Sequence, residues 1–254
     1  KDLEMVNKLL IALAREENLR PLDVTEIQLL RGKGFEAIGD LDKALENYRD
    51  VMTAGVRPTE ARANFARINA SLENREMTLE DATEELERLR FSWRGDDFEF
   101  ELLRRLGDLY LDIGDYRKSL SAHRLGVTYF PNLPDTKVVS QEMNGVFKKL
   151  FLDGEADAMS AISALALFYD FRELTPIGED GDEMIRQLAT RLVSVDLLDQ
   201  AAQLLKHQVE FRLKTVKKAR VGLRLAVIYM LNRKFDKALS VMKITRWRNL
   251  PGPL

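Results

Sequence analysis

No cysteine occurs among the 254 residues, so disulfides and thiolate metal sites are excluded. A reduced cytosol and a bacterial periplasm both accommodate such a chain, and the compartment stays open between them. Long apolar runs are missing as well: stretches such as Ala164 to Tyr169 fall far short of the roughly 20 residues that a bilayer-crossing helix needs. No basic segment followed by an apolar one opens the given sequence, and a soluble chain is expected. It starts at Lys1 rather than Met and stops at Asn249-Leu250-Pro251-Gly252-Pro253-Leu254, which leads us to expect a piece of something longer.

Histidine is scarce too. His123 and His207 have no Asp, Glu or Ser arranged around them as a triad, so neither catalysis nor a metal or other cofactor is expected. Gly-rich phosphate loops are absent, because the glycines end helical patterns instead of leading a strand into a helix. The run Gly178-Glu179-Asp180-Gly181-Asp182-Glu183 clusters carboxylates beside glycines, but Gly181 breaks the alternation of ligands that a calcium loop needs. Asp180 or Asp182 is expected to cap the following helix instead. Likewise Gly95-Asp96-Asp97 reads as a helix stop followed by a cap.

What is present is helical. Apolar residues make up 45% of the chain and recur at three- and four-residue spacing with almost no sustained alternation, which predicts an all-α fold. Turn signals cut it into about a dozen helices, at Arg20-Pro21, Gly39-Asp40, Gly55 with Pro58, Gly114-Asp115, Pro131 with Pro134, Gly154 and Pro176 to Gly181 among others. The net charge of −2 conceals a strong asymmetry. From Met184 onward stand 15 Lys and Arg against 4 Asp and Glu, leaving 24 against 37 in the residues before. Opposed ends of this size point to an interaction at one end or both.

The helices repeat one template. Leu106, Gly107, Tyr110, Gly114, Tyr116, Ser119, His123 and Pro131 set the order, and Gly32, Phe35, Gly39, Leu41, Ala44 and Tyr48 follow it at the same offsets. Leu225, Ala226, Tyr229, Phe235, Ala238 and Met242 fit again. Leu188, Ala189, Leu192, Leu198, Ala201 and Leu205 fit with apolar substitutions, and a weaker copy carries Ala70, Ala82 and Leu86. This pattern resembles the tetratricopeptide repeat, in divergent and bacterial-type form, a helix-turn-helix of about 34 residues. The resemblance implies a right-handed α-solenoid of stacked antiparallel hairpins with a concave binding surface. Small residues Gly32, Gly107, Ala189 and Ala226 would let first helices approach second ones, and Ala44, Ala82, Ala201 and Ala238 would do so from the other side. Phe35, Tyr110 and Tyr229 would be wedges, and His123, standing where Tyr48 does, a packing residue. We expect an N-terminal helix within residues 1–20, at Leu3 to Glu16, repeats one to three over 21–133, a divergent hairpin over 134–176 and two further repeats over 177–254. That makes six hairpins and an elongated molecule.

Some relatives in that family hold C-terminal carboxylates in a clamp of Lys, Asn and Arg. The corresponding positions here are Glu26, Leu29 and Lys33, then Asn64, Arg67 and Ser71, then Glu101, Arg104 and Asp108, so the clamp is not reproduced. Asn64, Arg67, Asn74, Arg104, Asp108 and Asp112 remain candidates for a polar peptide groove. In the last hairpin Leu223, Val227 and Met230 stand at positions that the resemblance turns toward the groove, with Arg220 and Arg224 beside them; the first expectation is that superhelical curvature or the divergent hairpin covers them from inside, and the other is a candidate docking site for an amphipathic helix or a further chain segment. Lys206, Arg212, Lys214, Lys217 and Lys218 extend the basic end. With Phe211 the only aromatic there, nucleic acid is disfavoured and an acidic protein surface is the expected partner, the acidic first part of another copy included. The resulting expectation is a non-catalytic protein-interaction scaffold or adaptor, with a regulatory or recruiting module of a larger enzyme-containing protein as the alternative.

Overall fold

The computed structural model describes residues 2–13 and 18–245; Lys1, residues 14–17, which include the end of the N-terminal helix expected at Leu3 to Glu16, and the final residues 246–254 lie outside them. Among the described residues there are thirteen α-helices and no strand. They are α1 (Asp2–Leu13), α2 (Pro21–Ala37), α3 (Leu41–Thr53), α4 (Arg57–Glu73), α5 (Leu79–Ser92), α6 (Asp96–Asp112), α7 (Tyr116–Tyr129), α8 (Thr136–Phe151), α9 (Ala161–Asp170), α10 (Glu179–Ser194), α11 (Leu198–His207), α12 (Thr215–Leu231) and α13 (Phe235–Ile244). They group into two compact units, residues 1–140 and 141–254, with the boundary inside α8.

The first unit is ordered by the repeated template. Tyr48 and His123 are buried, and each fills the space left by a missing side chain on its partner helix. A Cβ at Gly32 would collide with the Tyr48 ring, and one at Gly107 with the His123 ring. Glycine is thus required for close approach of α2 to α3 and of α6 to α7. His123 is the packing residue its register implies. Its Nε2 lies 3.3 Å from the Arg104 carbonyl oxygen and 3.3 Å from Asp108 Oδ1; both partners can only accept, so Nε2 carries the proton and donates.

Leu29, Ala44, Leu45, Tyr48 and Val51 form one buried cluster with Ala63, Ala66 and Ala70, so α4 lays a stripe of alanines over the first pair. A second cluster joins Ile68, Ala82, Leu86, Leu89, Phe98, Leu102, Leu106, Leu109 and Tyr110 across α4, α5 and α6. The helix starts are fixed by side chains: Asp40 accepts from Lys43 N at 3.3 Å, Thr78 from Asp81 N at 3.1 Å and Asp115 from Lys118 N at 3.1 Å. Replacing Asp115 by alanine should therefore lower stability by about 1 kcal/mol, and Asp115→Asn by less, read as shifts of the urea midpoint at constant slope. A loss equal for both variants would count against the cap.

The second unit departs from the template at its start. Phe147 and Phe151 of α8 meet Phe168 of α9, with ring centroids 5.7 and 5.3 Å from it, so three aromatic rings take the place of the small-to-large contact. Arg191 of α10 donates to the backbone carbonyls of Ala156, Asp157 and Met159, which ties down the short 3-10 turn Glu155–Ala158. The acidic run that opens α10 differs from expectation. Gly178 stands at the cap position, and no side chain caps the helix. Glu179 pairs with Lys217, Asp180 with Lys148 at 3.0 Å and Asp182 with Arg212 at 3.1 Å. Carboxylates in the first turn still suit the helix dipole, and cations from α8, α12 and the π-helical turn Gln208–Arg212 pair with them in place of the expected cap. In the first unit Asp96 does accept from the amide of Phe98, at 3.0 Å, near the start of α6.

Candidate functional site

The first helices of the first unit share a groove. Lys33, Glu36 and Ala37 of α2, Arg62, Phe65, Ala66, Asn69 and Glu73 of α4, and Phe98 and Glu101 of α6 enclose about 470 Å3. The spacing of Arg62, Phe65, Asn69 and Glu73 puts all four on one face of α4. Its floor is apolar, with Phe65 standing edge-on to Phe98 at 5.5 Å between ring centroids. The Arg62 guanidinium lies over the Phe98 ring at 5.1 Å and reaches Asp96 at 3.4 Å, so its charge is held at the edge of the groove. Asn69 Oδ1 accepts from Arg105 Nε at 2.6 Å. Glu36 accepts from the Tyr48 hydroxyl, and burial of that hydroxyl, reinforced by this acceptor, raises its pKa well above the usual tyrosine range. Lys33 and Glu101 are exposed at the rim.

Only part of the expected polar groove is assembled. Asn64 and Arg67 do meet: Arg67 Nη2 donates to Asn64 Oδ1 at 2.9 Å and also pairs with Glu85 of α5. They lie, however, on the opposite face of α4, lining a separate space of about 460 Å3 with Met52 of α3, Leu89 of α5 and Trp93 just after it. Their register follows from α4 itself, because Ala63, Ala66 and Ala70 face the first pair while Ala61 and Ile68 face α5 and α6. Arg104 reaches Asp135 at 2.8 Å, and Asp108 sits beside His123. Asn74 follows the end of α4 and donates to Glu76 at 2.7 Å, and Asp112 is exposed at the end of α6. These residues belong to several local arrangements rather than to one.

The basic end is likewise divided. Arg212 is largely buried by its contacts, donating to Asp182 and, at 3.2 Å, to the Pro176 carbonyl, so it braces α10 instead of facing a partner. Lys217 is paired with Glu179, and Lys206 lies 3.7 Å from Glu210. Lys214, Lys218, Arg220 and Arg224 carry charge with no ion-pair partner among the described residues. Leu223, Val227 and Met230 are about half exposed on α12, so nothing within the described residues covers them. No helix among the described residues is long and apolar enough to cross a membrane.

No family model matches the sequence, and no curated protein matches it. Among solved structures, the chain is similar to a tetratricopeptide repeat protein from Parabacteroides merdae at 13% identity, covering 86% of this chain and 77% of that one with a TM-score of 0.41. It is similar to a signal transduction ATPase with a tetratricopeptide repeat sensor from Pyrococcus horikoshii at 16% identity, over 96% of this chain and 38% of that one, TM-score 0.47. It is also similar to the apo form of the quorum sensor NprR from B. thuringiensis at 10% identity, over 96% and 79% of the two chains, TM-score 0.42. The repetition within the first unit rests on the chain's own contacts, Gly32 with Tyr48 and Gly107 with His123.

Proposed function

We propose that the chain is a protein-interaction scaffold, non-catalytic in itself, whose first unit holds a polypeptide segment in the groove of α2, α4 and α6. The observation that carries this reading is the pairing of an apolar floor, Phe65 against Phe98, with a rim of mixed charge, Lys33, Arg62, Glu73 and Glu101. A segment crossing it can bury apolar side chains on the two rings while its charged groups meet opposite charges at the edge, which gives orientation as well as affinity. Three helices contribute to the groove, so a partner is read across successive repeats, in keeping with how stacked hairpins present a binding surface.

Lys33 and Glu101 suit a test because both are exposed and have no ion-pair partner among the described residues. The double reversal Lys33→Glu with Glu101→Lys leaves net charge and fold unchanged while inverting the rim. In affinity capture from nuclease-treated extract of the native cell, the wild-type chain should retain a polypeptide that the reversed chain loses at least about tenfold, the scale of one or two interfacial charge contacts. Identical captures by both chains, with equal circular dichroism, would overturn the assignment of the groove.

A further inference from the structure

The second helix of each template copy carries a residue just after its small position, and that residue is covered in four copies and open in the last. Leu45, Thr83, Leu120 and Ala202 are all buried, whereas Leu239 is 63% exposed. Three residues further along, Tyr48, Leu86, His123 and Leu205 are buried while Met242 is 45% exposed. In the first repeat the cover is α4, whose alanines close over Leu29, Leu45 and Tyr48 together. Leu223, Leu239 and Met242 stand at the same three template positions of the last pair, and all three are open. Val227 and Met230 on α12 and Phe235 on α13 extend this exposed apolar surface. Its form is that of a seat for one more helix.

An apolar helix face of that kind exists at the other end of the same chain. α1 packs Leu10 inward but exposes Met5, Leu9 and Leu13, one stripe at four-residue spacing, with Val6 beside it. The charges are opposed. Residues 215–245 hold eight Lys and Arg against the single Asp236, while residues 2–26 hold six Asp and Glu against three Lys and Arg. We propose that α1 of a second copy of this chain docks on the α12 and α13 face as the next helix of the ladder, a head-to-tail contact. It joins two different faces, so each copy keeps one face free and the contact can propagate. This goes beyond the groove of the first unit and does not depend on it.

Leu9 and Leu239 are exposed, so Leu9→Glu and Leu239→Glu each remove one face without emptying a core. Analytical ultracentrifugation of the full chain, with circular dichroism confirming each fold, should show wild-type association that rises with concentration and weakens with salt. Each single variant should be monomeric, its association weakened by about a hundredfold or more because a buried charge at the contact is unpaired. An equimolar mixture of the two variants should form a heterodimer and nothing larger, since the intact seat of one accepts the intact α1 of the other. Val227→Asp serves in place of Leu239→Glu should that variant fold poorly. The proposal is overturned by a wild-type chain that stays monomeric into the submillimolar range, whether another protein or the residues after Thr245 cover the seat. It is equally overturned by a Leu9→Glu chain that still dimerises, which would mean that the seat pairs with itself.

Discussion

Replacing Phe147 by alanine should lower the stability of the second unit by about 3–5 kcal/mol, the range for truncating a fully buried aromatic side chain. Phe147 has no exposed surface and stacks between Phe151, at 4.7 Å, and Phe168, at 5.7 Å. It is where α8 and α9 hold together without the small-to-large contact of the other repeats, so the cavity opens at a joint with no second fastening of that kind. Urea unfolding followed by circular dichroism measures the loss, and Phe147→Leu should recover a large part of it by refilling volume. A cost for the alanine variant below about 1 kcal/mol would show that the aromatic cluster does not hold this pair.

Gly107→Ala should destabilise the chain by about 1–3 kcal/mol, although alanine normally gains about 1 kcal/mol over glycine inside a helix. The added methyl would meet the His123 ring, which is itself buried and donates to the Arg104 carbonyl, so the ring cannot swing away without losing that bond. Gly34→Ala is the matched control. Gly34 also lies inside a helix, but nothing stands within 4 Å of its Cβ position, and there the ordinary stabilisation by alanine is expected. In the double variant Gly107→Ala with His123→Ala much of the loss should return, because the methyl then enters the space the ring vacates. Thermal or urea unfolding of these three variants and of His123→Ala decides it; additive costs for Gly107 and His123 would contradict the contact.

The pair just described was legible in the sequence because it is local to one hairpin: Gly107 and His123 are separated by one helix-turn-helix, and Gly32 and Tyr48 repeat the offset. The same template gave the wrong face for Asn64 and Arg67. On α4 the alanines at 63, 66 and 70 take the side toward the first pair, which rotates Arg62, Phe65 and Asn69 toward α2 and α6 and carries Asn64 and Arg67 away. The spacing of Arg62, Phe65, Asn69 and Glu73 was available as a signal, but choosing that stripe requires knowing which helices flank α4. Arg212 could not be read correctly for a similar reason. Its partners, Asp182 and the Pro176 carbonyl, lie 30 and 36 residues earlier in the chain, and a cation read by composition alone belongs to the surface. For α8 and α9 the helical pattern was visible and the joint was not, since Phe147, Phe151 and Phe168 follow no template position. The apolar character of Leu223, Val227 and Met230 was visible too; their exposure shows that a helix apolar on nearly every face is covered here on one side only.

A photo-crosslinking residue introduced in place of Lys33, on the rim of the α2, α4 and α6 groove, tests the scaffold reading most directly. Arg49, exposed on α3 and outside that groove, is the comparison position. Irradiated in the native cell, the chain labelled at residue 33 should form a discrete adduct with a polypeptide, identified by mass spectrometry, that the chain labelled at residue 49 does not form and that Glu101→Lys diminishes. Adducts equal at both positions, or none at residue 33, would contradict the account.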